Sequence, residues 1–369
     1  MILTDLATNS FCNACGGVRF VKIASSLLLF GAILVLGVGF GLGYVTAPHV
    51  VASPTLQPTA LPTVGSSVVP SAVPPVRLGK NPLVGVDLFV DPESPAQQQA
   101  DAWRQSRPED AALLDKIAAH PQATWFSGHE AQPDLSAENL ALRAEAQNQV
   151  PLIVVYALPK RDCGGAAAGG KSGNQAYLEY VRDIASGLQG HRAVVVLEPD
   201  GTASIRCLSP NEVVERRELL QHAIRTFKAG GHVVYVDAAN PRWVGLEEMS
   251  RRLNLLNLSE ADGFALNVAN FISTAENLEY GAQLSARVGG KHFVVDTGRN
   301  GNGPAPDGRW CNPSGRALGV PYTTDTGHPL ADAFLWVKQP GFSDGSCNGG
   351  PGSGFHAPFA LELTRNAAA

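Results

Sequence analysis

The sequence predicts an α/β protein in which a parallel sheet closes into a TIM-like barrel, preceded by one N-terminal transmembrane helix. Three observations carry that expectation. Short apolar runs rich in β-branched residues alternate with helical patterns along most of the chain, as expected of parallel strands joined by crossover helices. Eight such runs recur, and a repeat of that number favours closure, with an open doubly wound sheet as the alternative. Ahead of them, Ile23 to Val45 carries no charge and is long enough to span a bilayer as a helix.

Taken in order, residues 1–22 form a cytoplasmic tail, 23–45 the membrane segment, 46–80 a linker and 81–369 the main domain. In the tail, Cys12 and Cys15 make a lone CxxC without a second ligand pair, for which metal binding competes with palmitoylation or no role. Arg19 and Lys22 flank the apolar segment and orient it with the N-terminus inside. A cleaved signal peptide is the rival, since Val45-Thr46-Ala47 resembles a cleavage site. The apolar run exceeds the usual signal core, so an uncleaved anchor is expected. Pro48 to Val76 holds seven prolines and no Asp, Glu, Lys or Arg, the composition of an extended, semi-rigid spacer. Cys163, Cys207, Cys311 and Cys347 give the main domain an even cysteine count, suited to two disulfides and an extracytoplasmic location. Nearness in sequence pairs Cys163 with Cys207 and Cys311 with Cys347.

The strand-like runs are Leu83–Val90, Ala123–Phe126, Pro151–Ala157, Ala193–Leu197, His232–Asp237, Gly263–Val268, His292–Asp296 and Ala333–Val337. Helical patterns lie between most of them, at Ser136–Gln147, Asn174–Leu188, Asn211–Lys228 and Glu276–Val288. Ser136 with Glu138 and Asn211 with Glu212 read as helix starts. The first strand lacks a GxGxxG loop, and Gly164–Gly170 followed by Lys171-Ser172 does not have phosphate-loop spacing, which argues against a nucleotide site. After Asp296 the chain becomes dense in Gly, Pro and Asn, a functional loop by its length, with Trp310 and Cys311 arguing for order. With 44% apolar and 17% charged residues the chain can bury a full core, and a net charge of −5 argues against a nucleic-acid partner.

Ionisable residues gather at the strand ends. Asp162 and Asp200 follow two apolar runs, Asp237 ends a third, and Lys338 with Asp344 follows a fourth. A single Asp after a strand is more often a turn or cap residue. Four ionisable strand ends are different, because groups at the C-terminal ends of parallel strands converge at one mouth. Neighbouring carboxylates there can be held in opposite protonation states, which suits acid–base chemistry. No metal-ligand spacing occurs in the main domain, and no cofactor is expected.

Six segments then carry a resemblance. NPLVGVDLFVDPES, VVYALPKRDCGGAAAGG, VVLEPD, DTGRNGNGP, WCNPSGRALG and KQPGFSDG occur in that order, and from Asn81 to Leu363 the chain resembles the secreted cellulases of glycoside hydrolase family six, of the actinobacterial endoglucanase type. The resemblance implies a distorted seven-stranded barrel and hydrolysis of β-1,4-glucan with inversion at the anomeric carbon. It implies that Asp200 is the general acid, that Asp162 raises its pKa and relays a water proton, and that Asp344 is the candidate base. Asp237 would help position Asp200, and Tyr156 would crowd the reacting sugar. Trp125, Trp243 and Trp310 match aromatic sugar platforms, and Asn270, Arg316 and Lys338 match residues that contact sugar hydroxyls. Trp103 and Trp336 follow helical and strand patterns and belong to the core. Phe342 stands where the family carries Glu, Ala168 where a loop serine is common and Asn240 where a histidine is common, which puts substrate preference in question. The compact domain leaves little room for loops that would roof a tunnel, so an open cleft, internal chain cleavage and a monomer are expected. A glucan-binding protein on a decayed barrel, a cellobiohydrolase and an enzyme for another β-glucan are the competing readings.

Overall fold

The computed structural model describes residues 80–367. The predicted tail, membrane segment and nearly all of the linker lie outside the described residues, among which no helix is long and apolar enough to cross a membrane.

Seven parallel strands form one sheet in chain order: β1 (Thr124–Phe126), β2 (Leu152–Val155), β3 (Val194–Leu197), β4 (Val233–Asp237), β5 (Gly263–Leu266), β6 (His292–Asp296) and β7 (Ala331–Leu335). The helices are α1 (Pro95–Trp103), α2 (Pro108–Ala118), α3 (Pro133–Glu145), α4 (Asn174–Gly187), α5 (Pro210–Ala229), α6 (Leu246–Leu255), α7 (Thr274–Arg287) and α8 (Ala357–Ala367). β2 to β7 are buried at every residue, as strands covered on both faces must be. The two-residue side-chain period splits them between two cores. Leu152, Val154, Val194, Val196, Val233, Tyr235, Val294, Ala333 and Leu335 fill the interior. Ile153, Val155, Val195, Leu197, Val234, Val236, Phe264 and Val295 face outward into the layer built with α3, α4, α5, α6 and α7. A third cluster joins α1, α2 and α8 around Trp336, which is 1% exposed, with Trp103 partly buried against it.

The barrel is not sealed by a seventh ladder. Between β1 and β7 the connections are a backbone hydrogen bond from Ala123 N to the Trp336 carbonyl at 3.1 Å and one from Trp125 Nε1 to the Val337 carbonyl at 2.8 Å. Closure rests instead on the shared interior, since residues of β2 and β7 pack into one cluster.

The expected first strand, Leu83–Val90, is not a strand. It makes one parallel bridge, Leu88 to Val150, and otherwise serves as a plug, because Leu83, Val86 and Leu88 enter the interior core. Its apolar alternation reflects burial without pairing. Two helix starts also shift. Ser136 lies inside α3, its hydroxyl bonded to the Gln132 carbonyl, since Pro133 opens the helix. α5 begins at Pro210, with Ser209 and Glu212 forming a reciprocal capping box, so Glu212 was the right signal attached to the wrong cap.

Candidate active site

The carboxyl ends of the strands meet around a cleft of about 630 Å³. Tyr156, Asp162, Asp200, Trp125, Trp243, Asn270, Trp310, Lys338 and Asp344 all line it. β1 delivers Trp125, β2 leads into Tyr156 and the Asp162 loop, β3 into Asp200, and β7 into Lys338 and Asp344. Cleft residues that the sequence did not single out include Ala166, Ala167 and Arg206.

Asp200 is half-buried and holds a left-handed backbone at φ 68°, a conformation in which a non-glycine residue must be secured by its surroundings. Asp237, the last residue of β4, supplies part of that hold. Its Oδ2 accepts the backbone N–H of Asp200 at 3.0 Å and of Ala239 at 3.1 Å. Burial, and next the proximity of Asp200, keep the Asp237 carboxyl well above the ordinary range. The Asp200 side chain accepts the Tyr156 hydroxyl at Oδ2, 3.0 Å away. Burial pushes Asp200 up to about 6; the Tyr156 hydrogen bond works against this rise, and the nearby Asp162 adds to it. Burial and then Asp200 drive the Tyr156 phenol far upward, so it stays a donor.

Asp162 also has a positive φ, 53°, and its Oδ2 accepts the Ala167 N–H at 2.9 Å. The loop closes through Gly170, where φ is 91° and a Cβ would sit 1.9 Å from the Leu158 carbonyl oxygen, so only glycine fits. Arg161 staples this loop. Its guanidinium lies 4.2 Å from the Tyr156 ring centre and donates to the carbonyls of Ala167, Ser127 and Tyr156.

Asp344 faces two cations. Its Oδ1 lies 2.9 Å from Arg299 Nη1 and 3.8 Å from Lys338 Nζ, and Arg299 is 1% exposed. Burial, then repulsion from Arg299, draws Lys338 down to about 8, against the pull of Asp344. Lys338 donates to the Ser343 carbonyl at 3.1 Å and stands 5.6 Å from the Trp125 ring centre. Trp243 and Trp310 are 46% and 56% exposed, aromatic faces left open to a ligand.

Arg316 is placed differently from the expectation. It does not line the cleft: it is buried, and its guanidinium donates to the carbonyls of Ser314, Asn302 and Gly303, bracing the loop that carries Trp310. Phe342 packs edge-to-face on Phe355 at 6.0 Å and is likewise absent from the cleft wall. Asn240 lines the cleft, its Oδ1 accepting the Arg242 N–H at 3.0 Å. Ala168 is exposed on the Asp162 loop. The cysteines pair as nearness in sequence suggested, Cys163 with Cys207 and Cys311 with Cys347. The first bridge ties the Asp162 loop to the segment after Asp200, and the second ties the Trp310 loop to the turn after Asp344.

Sequence reasoning passed over three buried groups. Glu198, two residues before Asp200, accepts the N–H groups of Ala157 and Leu158 at 3.0 and 3.1 Å, clipping the end of β2 to β3. Burial pushes it up to about 7, against those hydrogen bonds. Asp296, the last residue of β6, accepts from Ala269, Gly298, Val337 and Lys338. Arg299 follows three residues later. The signal that marked Asp162 and Asp200, an ionisable group at a strand end, applies equally to Asp296.

Residues 83–357 match the family model described as glycosyl hydrolases family 6. The chain is 43% identical over 284 residues to Endoglucanase A of Cellulomonas fimi, a match covering 76% of this chain and 61% of that protein. It is 40% identical over 294 residues to Endoglucanase 1 of Streptomyces halstedii, covering 77% and 89% respectively. Among solved structures, the endoglucanase Cel6 from Mycobacterium tuberculosis, in complex with a methyl-cellobiosyl-4-deoxy-4-thio-β-cellobioside, superposes with a TM-score of 0.74 at 40% identity, covering 78% of this chain and 100% of that one.

Proposed function

The chain belongs to glycosyl hydrolases family 6, and from that premise we propose that it is an inverting endo-β-1,4-glucanase acting on cellulose or a related glucan. The observation that carries this reading is Asp200. It stands in the cleft, bonded to Tyr156, with its pKa raised to about 6, so a proton is held for the leaving glycosidic oxygen in mildly acidic solution.

Asp344, which lines the same cleft, is the base that receives the proton of the attacking water. An inverting pair needs room for that water, with carboxyl groups roughly 6.5–9.5 Å apart. Asp344 Oδ1 is engaged by Arg299, so delivery of the proton calls for a relay. Asp162 suits that part, since its carboxylate accepts a single hydrogen bond, from Ala167 N. Tyr156 crowds the reacting ring, Trp125, Trp243 and Trp310 stack on successive glucose units, and Asn270 and Lys338 bind hydroxyls. The open placement of Trp243 and Trp310, and the endoglucanase relatives, favour internal cleavage. Two disulfides favour action outside the cytoplasm.

The test is hydrolysis of carboxymethylcellulose, with viscosity and reducing ends followed together, and NMR of the first-formed anomer from a soluble oligosaccharide. A fast viscosity fall, an α-anomeric product and loss of both signals in Asp200→Ala are expected. Glucan binding without turnover would overturn the reading in favour of a decayed barrel, and reducing ends without a viscosity fall would make the enzyme exo-acting.

A further inference from the structure

We infer that Asn312 is a positioning residue that sets the orientation of Asp344, an inference that rests on the assignment of Asp344 as the base. The segment from Ser343 to Gly354 has little structure of its own. It contains five glycines, its own order comes down to the isolated bridge between Gly345 and Gly352, one bond from Ser343 N to the Gly354 carbonyl at 2.9 Å and a single 3-10 turn at Cys347–Gly349, and Gly345, Asn348, Gly349, Gly352 and Gly354 all have positive φ. A chain of this composition loses much backbone entropy when fixed. A carboxylate on it needs an external template.

Asn312 provides one with every polar group it has. Its backbone N–H donates to Asp344 Oδ2 at 3.0 Å. Its side-chain Oδ1 accepts the Asp344 N–H at 2.8 Å and the Ser343 hydroxyl at 3.3 Å. Its Nδ2 donates to the carbonyls of Gly345 at 3.0 Å and Cys347 at 3.1 Å, and its own carbonyl accepts Asn348 Nδ2 at 3.1 Å. The Asp344 carboxylate is thereby held from two sides, Oδ2 by Asn312 and Oδ1 by Arg299. Asparagine suits the place because it presents a donor and an acceptor on one short side chain and tolerates the left-handed backbone found here, φ 41°.

A purely structural role predicts something different. The adjacent Cys311–Cys347 bridge already fastens the two segments covalently, so loss of the Asn312 side chain leaves them joined and removes only the finer alignment. An error of about 1 Å in a reacting group costs on the order of 100-fold in rate.

The experiment compares Asn312→Ala, Asn312→Asp, Asp344→Ala and Asn312→Ala/Asp344→Ala in the full chain, with kcat and KM on a soluble cello-oligosaccharide and amide exchange over residues 343–348. Asn312→Ala is expected to lower kcat on the order of 10–100-fold with KM within about twofold, and to cost little in the Asp344→Ala background, as coupled groups do. Asn312→Asp keeps the shape and the acceptor for Asp344 N but loses both Nδ2 donations, so it should fold, expose no free thiol and still lose kcat. Wild-type kcat in both Asn312 variants, a rise in KM alone, or full additivity with Asp344→Ala would overturn the inference. Should Asp344→Ala keep full activity, the base assignment falls, and exchange decides positioning alone: a faster Asp344 amide in Asn312→Ala upholds it, an unchanged one refutes it.

Discussion

Replacing Tyr156 by Phe should move the alkaline limb of the pH–activity profile upward, a direction set by one hydrogen bond. With Asp200 in its proposed role as the acid, activity is lost as pH rises through its pKa, which burial places at about 6. The Tyr156 hydroxyl, 3.0 Å from Asp200 Oδ2, stabilises the ionised form and so lowers that value. A hydrogen bond to a charged group is worth about 1.5 kcal/mol, and one pKa unit is about 1.4 kcal/mol. Tyr156→Phe should therefore carry the limb up by about one pH unit, with the ring retained. Asp162→Asn is the opposing control: Asp162 raises the Asp200 pKa, so its neutralisation should shift the limb toward acid. The assay is kcat/KM on a soluble oligosaccharide across pH, which reports ionisations of the free enzyme. An alkaline limb that stays put or moves toward acid in Tyr156→Phe would refute the electrostatic account of Asp200, whatever happens to kcat.

Two further outcomes concern stability. Glu198 has a folded pKa of about 7 against 4.5 for the free group, so the native state keeps its proton longer than the unfolded chain. That contribution is fully present below 4.5 and is lost as pH rises through about 7, a change of about 3 kcal/mol by linkage. Urea denaturation at a series of pH values should show this fall in the native protein and a flatter curve in Glu198→Gln, and equal slopes would remove the assignment. Opening Cys163–Cys207, which spans 44 residues, by the double serine variant should cost up to about 4 kcal/mol in the chain-entropy account. An unchanged denaturation midpoint would show that the bridge leaves the unfolded state unconstrained.

The strands and the ionisable groups at their ends were legible because both follow local rules, whereas Trp125, Tyr156, Trp243, Asn270 and Trp310 were reached through the family resemblance. Buried parallel strands announce themselves as runs such as Leu152–Val155 and Val194–Leu197, and each run ends in the residues that reach the mouth. Leu83–Val90 misled because a plug and a strand share the same alternation, and only pairing, absent there apart from one bridge, tells them apart. α1 and α2 went unread although their starts are marked, Ser94 capping α1 ahead of Pro95 and Pro108 opening α2 with Glu109 and Asp110 in its first turn. Arg316 matched a sugar-contacting position, yet its donors are taken by the carbonyls of its own loop, a three-dimensional fact. Glu198 and Asn312 stayed hidden for a related reason: most of their bonds are made to or through backbone groups, which carry no residue identity for a sequence to display.

The unpaired edge between β1 and β7 gives Trp125 two duties that cannot be separated. Its indole face looks into the cleft while its Nε1 latches the rim to Val337. Phenylalanine would keep an aromatic face and drop the latch, and tyrosine would move its polar atom off the indole position. On the proposed function, glucan stacking and ring integrity draw on one side chain, and the tolerance for change there is that of the stricter of the two. Pressure from a bound polymer on that wall would also be felt directly at the joint, where two hydrogen bonds stand in for a ladder.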